Sequence, residues 1–170
     1  MRAGPPPRTV LLHGFTQTGT CWAETVRTLP GEVVTVDLPG HGGSADVHAD
    51  LPTSAALAAA AGGRGTWIGD SMGARVALHV ALDHPAVVDR LVLASGTAGI
   101  DDADERTARR AADEALATRL RAIGVERFLD EWLALPLFAG VPSHRDCRDA
   151  RMGNTAEGLA RSLELSGTGT

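Results

Sequence analysis

The feature that most constrains this chain is the run Thr66-Trp67-Ile68-Gly69-Asp70-Ser71-Met72-Gly73-Ala74-Arg75. It starts as a short apolar strand over 66–68 and continues as good helix formers over 72–83, stopping before Pro85. Glycines two residues either side of Ser71 complete a G-x-S-x-G pattern. A strand that turns so sharply into a helix strains the serine backbone, and bare glycines let strand and helix approach each other. The pattern alone is weak, because glycine and serine abound in loops; the strand before it and the helix after it give it weight. Ser71 is therefore the candidate catalytic residue. The backbone N–H of Met72, in the first turn of the helix, is positioned to face a developing oxyanion.

The rest of the chain supplies the frame for that corner. A β-rich run over 8–12 leads into the polar loop 13–19, and a helix is expected over 21–29, closed by Pro30-Gly31. A second strand over 32–37 runs into the turn-rich stretch 38–44, and an Ala/Leu-rich helix over 51–61 is stopped by Gly62-Gly63. A further strand over 87–94 ends at Ser95-Gly96. Strands alternating with helices imply an α/β fold with a parallel sheet covered by helices. In such sheets the chemistry lies beyond the carboxyl ends of the strands, here the loops 13–19 and 37–44 and the Ser71 corner.

After residue 100 the strands stop. The spacing predicts one long helix or two over 101–123, a break at Gly124, and a helix over 125–133 with Phe128, Leu129, Trp132 and Leu133 on one face. Further helices are expected over 144–152 and 155–165, and none in the tail 166–170. Residues 1–100 thus read as the N-terminal part of a sheet core and 101–170 as a helical cap over the site.

Composition narrows the function. A 44% hydrophobic content is enough for a real core, and a net charge of −5 without a dense basic run argues against nucleic acid as partner. No apolar stretch is long enough to cross a bilayer, and residues 1–7 lack the apolar segment of a signal peptide, so a cytoplasmic protein with no membrane partner is expected. Cys21 and Cys147 stand apart without C-x-x-C spacing and read as reduced. Asp37, His41, Asp46, His48 and Asp50 follow no zinc or calcium spacing, so no metal is expected there. His41 reads as loop architecture and the other four as surface. The side chain of Asp70 is expected to project away from Ser71.

With loop and corner placed, the chain resembles the α/β-hydrolase fold family, through His13-Gly14-Phe15, the loop Asp37-x-Pro39-Gly40-His41-Gly42-x-Ser44 and the nucleophile elbow. More closely it resembles the 2-succinyl-6-hydroxy-2,4-cyclohexadiene-1-carboxylate synthases of menaquinone biosynthesis. That likeness rests on residues 69–75, on 95–100, on Arg106 and Arg109, on Glu131-Trp132 with Pro136-Leu137-Phe138, and on Arg151, Asn154 and 158–160. The resemblance implies a lyase that removes pyruvate from a cyclohexene carrying several carboxylates. It needs no cofactor, and the serine takes a proton rather than attacking a carbonyl.

On that resemblance Phe15 joins Met72 as a backbone oxyanion donor, although both side chains read equally well as packing. Arg75, four residues beyond Ser71 and on the same helical face, reads from the residues alone as a surface arginine; the resemblance makes it a carboxylate clamp. Arg109 and Arg151 lie in charged cap helices where arginines are commonly solvated, and the family likeness makes them substrate-binding candidates. Trp132 is helix core or a ligand platform. His13 shapes its loop. A small polycarboxylate is the expected partner.

A serine needs a histidine to take its proton and a carboxylate to orient that histidine. In α/β-hydrolases the order is serine, acid, histidine, yet the last histidine here is His144, within the cap. Relative to the family pattern the chain reads as C-terminally truncated, with part of the core missing. Three expectations follow: an exposed apolar sheet edge that promotes self-association, weak or no lyase activity, and no triad partners for Ser71. A carboxylesterase-like serine hydrolase and a non-catalytic remnant that only binds ligand are the alternatives.

Overall fold

The computed structural model describes residues 7–142 and 146–170. Four parallel strands, β1 (Arg8–Leu12), β2 (Glu32–Val36), β3 (Gly65–Asp70) and β4 (Val88–Ala94), form one sheet in the order β2-β1-β3-β4. β1 is central, and Val10, Leu11 and Leu12 are fully buried, so it reads as a continuous apolar run rather than an alternation. Val10 and Leu12 pack with Trp67 against α2 (Leu51–Gly62) and α3 (Met72–Asp83), through Ala55, Val76 and Val80. The indole N–H of Trp67 donates to Val87 O at 3.0 Å, which satisfies the one polar atom this core residue carries.

Local chemistry sets the helix limits. Asp50 caps α2 by accepting from Thr53 N at 2.9 Å, and Gly63, at φ 66°, ends it. The helix expected over 21–29 is much shorter: a 3-10 turn, Gly19–Trp22, runs into α1 (Ala23–Val26). β-Branched Thr25 and Val26 are poor formers, and Thr28 Oγ1 donates back to Thr25 O at 2.8 Å where another turn would begin.

The helices after the sheet make the cap. α4 (Ala103–Leu133) is capped by Asp102, and Gly124, at φ 76° and ψ 171°, breaks it where the sequence places a break. α5 (Arg148–Met152) and α6 (Ala156–Ser166) follow. Residues 143–145, and with them His144 and the first part of the helix expected over 144–152, lie outside the described residues. Leu120 and Phe128 of α4 pack on Leu159 and Leu163 of α6, giving the cap a small core of its own. The tail, for which no structure was expected, folds against α4: Gly169 O accepts from Arg110 Nε at 3.2 Å and Nη2 at 2.9 Å. No helix among the described residues is long and apolar enough to cross a membrane.

Candidate active site

Ser71 sits at the junction of β3 and α3 with φ 52° and ψ −112°, a conformation L-residues rarely adopt. Its N–H donates to Ala94 O of β4 at 2.8 Å, and its carbonyl accepts from Ala74 N at 3.1 Å and Arg75 N at 3.3 Å. The corner closes only because of its glycines. A Cβ on Gly69 would lie 2.3 Å from Gly73 O, and one on Gly73 would lie 2.3 Å from Leu12 O. The hydroxyl of Ser71 is left exposed at the carboxyl end of the sheet.

The loop after β1 is fixed from below. His13 Nδ1 faces Gly14 O at 2.9 Å while its Nε2 accepts from Leu38 N at 3.0 Å, so the ring is neutral and carries its proton on Nδ1. His41 lies beside it, ring centroids 5.0 Å apart and planes tilted by 57°, and donates from Nδ1 to Pro39 O at 3.0 Å. Burial pushes His13 down to about 4, and burial together with His13 pushes His41 down to about 3. Neither is a base for Ser71; they hold the loops. Asp37, expected at the surface, instead clamps two loops, accepting from Gly19 N at 2.6 Å and Gly43 N at 2.8 Å. Above these loops Asn154 Oδ1 accepts from Gly42 N at 2.8 Å, and its Nδ2 donates to Thr16 O at 2.7 Å. The N–H groups of Phe15 and Met72 have no acceptor among the described residues, which leaves both able to receive a substrate oxygen.

Two cavity lobes meet at Ser71, both also bordered by Phe15, Ser95, Trp132 and Leu137. The first, of about 270 Å³, is lined by Arg75 and Arg109; the second, of about 380 Å³, by Arg151, Asp70 and Asp146. Arg75 is buried and donates from Nη1 to Ser166 O at 2.8 Å. Arg109 Nε pairs with Asp113 Oδ1 at 2.9 Å, and Asp113 Oδ2 is buried with no hydrogen-bond partner among the described residues. Burial and the neighbouring Arg109 lower the Arg75 pKa from its very high ordinary value, while Asp113 opposes this. Arg151 is buried and engaged with protein oxygens: Nε donates to Asp146 O at 2.7 Å, and Nη1 to Phe15 O at 3.3 Å and to Thr16 Oγ1. Trp132 stands edge-on to Phe15 at 5.2 Å and stacks on Phe128 at 5.8 Å, so it packs the cap and lines both lobes.

The fold agrees with comparisons to known proteins. A family model described as the alpha/beta hydrolase family matches residues 9–167. The chain belongs to the alpha/beta hydrolase family. Within it, the 2-succinyl-6-hydroxy-2,4-cyclohexadiene-1-carboxylate synthase of Klebsiella pneumoniae (strain 342) is 31% identical over 173 residues, taking in 95% of this chain and 69% of its own length. The solved structure of MenH from S. aureus superimposes with a TM-score of 0.85 at 29% identity, covering 99% of this chain and 69% of that one. A pimeloyl-acyl-carrier-protein methyl ester esterase of Vibrio atlanticus (strain LGP32) is 45% identical over 94 residues, 53% of this chain and 36% of its own. The chain spans about two thirds of the length of such synthases.

On this alpha/beta hydrolase scaffold Ser71, Phe15, Met72, Arg75, Arg109 and Trp132 surround one lobe, while Arg151 borders the other. No histidine lines either lobe among the described residues. Asp70 departs from expectation. Its side chain borders the second lobe beside Ser71, and Oδ2 lies 3.3 Å from where a Cβ on Gly14 would stand. Sequence reasoning also missed Asp113 and Ser95. The first carries a signal, since it stands four residues after Arg109 on one helix face; Ser95 carries none beyond its place at a strand end.

Proposed function

We propose that this chain is a lyase that removes pyruvate from 2-succinyl-5-enolpyruvyl-6-hydroxy-3-cyclohexene-1-carboxylate, leaving 2-succinyl-6-hydroxy-2,4-cyclohexadiene-1-carboxylate, as the sequence resemblance implies for menaquinone biosynthesis. The observation that carries this reading is the exposed Ser71 hydroxyl at the mouth of a lobe lined by Arg75 and Arg109. Guanidinium groups recognise carboxylates by paired hydrogen bonds, and a polyanionic ring rewards two of them side by side. The serine oxygen takes a ring proton. The C–H electrons form a double bond to the neighbouring ring carbon, and the existing ring double bond shifts one position towards the carbon that bears the enolpyruvyl group. The C–O bond to that group breaks, and the leaving enolate picks up a proton to become pyruvate. Phe15 and Met72 N–H groups hold the negative charge that develops beside the serine.

A serine without an imidazole is a poor base at neutral pH, and no histidine lines either lobe among the described residues. Turnover by these 170 residues is accordingly expected to be impaired, by roughly 10⁴-fold or more against an enzyme with a complete triad. The test is pyruvate release from the native substrate by the wild type, Ser71→Ala and Arg109→Met. Slow release that both substitutions reduce at least tenfold supports the proposal; release unchanged in Ser71→Ala refutes it. The likeness of 94 residues to a methyl ester esterase supports a second reading, a carboxylesterase-like hydrolase. Turnover of a chromogenic acetate ester exceeding pyruvate release would favour it. Binding of a substrate analogue without any turnover would mark a ligand-binding remnant.

A further inference from the structure

The two lobes beside Ser71 differ in charge, and the difference constrains the substrate more tightly than a count of arginines does. In the first lobe Arg75 and Arg109 are backed by one carboxylate, Asp113, whose Oδ1 is taken by Arg109 Nε at 2.9 Å. That lobe keeps a cationic excess. In the second, Arg151 faces two acidic residues that line the same space, Asp70 and Asp146. Its guanidinium is turned to protein oxygens of Asp146, Phe15 and Thr16, and lies over the Phe138 ring at 5.9 Å. Asp70 is half-buried at the wall and shares a hydrogen bond with Ser95.

From this asymmetry we infer that the second lobe is a subsite for a neutral hydrogen-bond donor, such as an alcohol hydroxyl, and that Asp70 is the residue that sets this specificity. The inference rests on the proposed carboxylate-binding role of the first lobe. A carboxylate entering the second lobe would meet Asp70, and Arg151 already donates from Nε and Nη1 to protein oxygens; an alcohol O–H would instead donate to the Asp70 carboxylate. The substrate class is a molecule with a carboxylate end for Arg75 and Arg109 and a hydroxyl-bearing end for Asp70, with its reacting carbon held between them at Ser71.

Two probes of equal length separate the possibilities: glutarate, with two carboxylates, and 5-hydroxypentanoate, with one carboxylate and one alcohol. Calorimetric titration of the wild-type chain is expected to show tighter binding of 5-hydroxypentanoate. In Asp70→Asn, and in Asp70→Ser as a second variant checked by thermal melting, glutarate is expected to gain about tenfold relative to 5-hydroxypentanoate. Glutarate binding the wild type as tightly as the alcohol, or an unchanged ratio in both folded variants, overturns the inference. Arg109→Met tests the underlying reading separately, since it should weaken both probes together. Failure of the wild type to bind either probe sinks that reading and the inference with it.

Discussion

The two flanks of the sheet end in opposite ways. On the β2 side the loops after β1 and β2 are tied to each other by Asp37 and to the cap by Asn154 and Arg151, over a floor made by His13 and His41. On the β4 side the edge strand leaves Val92 and Leu93 47% and 44% exposed, and the loop 95–99 beyond it is exposed throughout. Ser71 stands at the boundary, its N–H anchored to the open side through Ala94 and its oxyanion donors drawn from the helix and the sealed side. The difference teaches that the second lobe is framed by loops the fold ties down, while the cationic first lobe borders the exposed residues Ser95, Gly96 and Thr97.

Acid is the harshest test of the sealed flank. Both buried histidines have folded pKa values depressed, to about 4 and about 3, from an ordinary value near 6.5. Above 6.5 neither state is protonated and the stabilisation is intact; below it the unfolded chain takes up protons that the folded one refuses. Stability should fall by about 1.4 kcal/mol per pH unit for each histidine as pH drops from 6.5 towards 4. The acidic residues Glu131, Glu157 and Glu164, whose pKa values are lowered by arginine partners, add their loss only below their ordinary range. Urea midpoints at pH 7.5 and pH 5 should differ clearly. A flat profile would mean the pair is not buried as one unit.

How far the sequence foretold this contrast depends on the range of the forces involved. The Ser71 corner was legible because it is local: two glycines, one strand and one helix decide it, and α3 spans the residues the pattern predicts. The break at Gly124 was legible for the same reason. Asp70 departs from its expected direction next to a residue, Ser71, whose φ of 52° abandons strand geometry. The role of Asp37 needed two loops that meet only in the fold, and Asn154 reaches Gly42 across 112 residues, so neither could be read from spacing. Arg151 was identifiable as a cation near the site, but the oxygens that engage it come from the loop after β1 and from Asp146.

Asn154 sharpens the comparison at smaller cost. Its side chain joins the cap to Thr16 O and Gly42 N, and its Nδ2 also donates to Arg151 O of α5 at 3.0 Å. Asn154→Ala leaves a carbonyl and an N–H without partners in a buried place, a loss of about 1–3 kcal/mol. The matching local readout is amide exchange: Gly42 should lose protection, while Val10 in β1 changes only with global stability. Equal loss of protection at both positions would show that cap and core unfold together and that the sealed flank is no separate unit.

The smallest change in stability belongs to the open flank, where the effect should be on association instead. Among the described residues β4 has a strand partner only at β3, so its outer backbone groups and the exposed Val92 and Leu93 offer a template for a second copy. Leu82, 67% exposed on α3, adds apolar surface. A lysine on an edge strand opposes such pairing, because its charge would have to be buried against the neighbouring strand. Val92→Lys should leave the urea midpoint within the equivalent of about 0.5 kcal/mol, since little burial is lost at a half-exposed site. In sedimentation velocity the wild type should show concentration-dependent self-association that the variant largely abolishes. The sealed flank provides the control: Thr35→Lys, at an exposed position on the β2 edge, should leave the association of the wild type in place. A wild type that sediments as a monomer at every concentration, or association removed equally by both lysines, would break the contrast between the two edges.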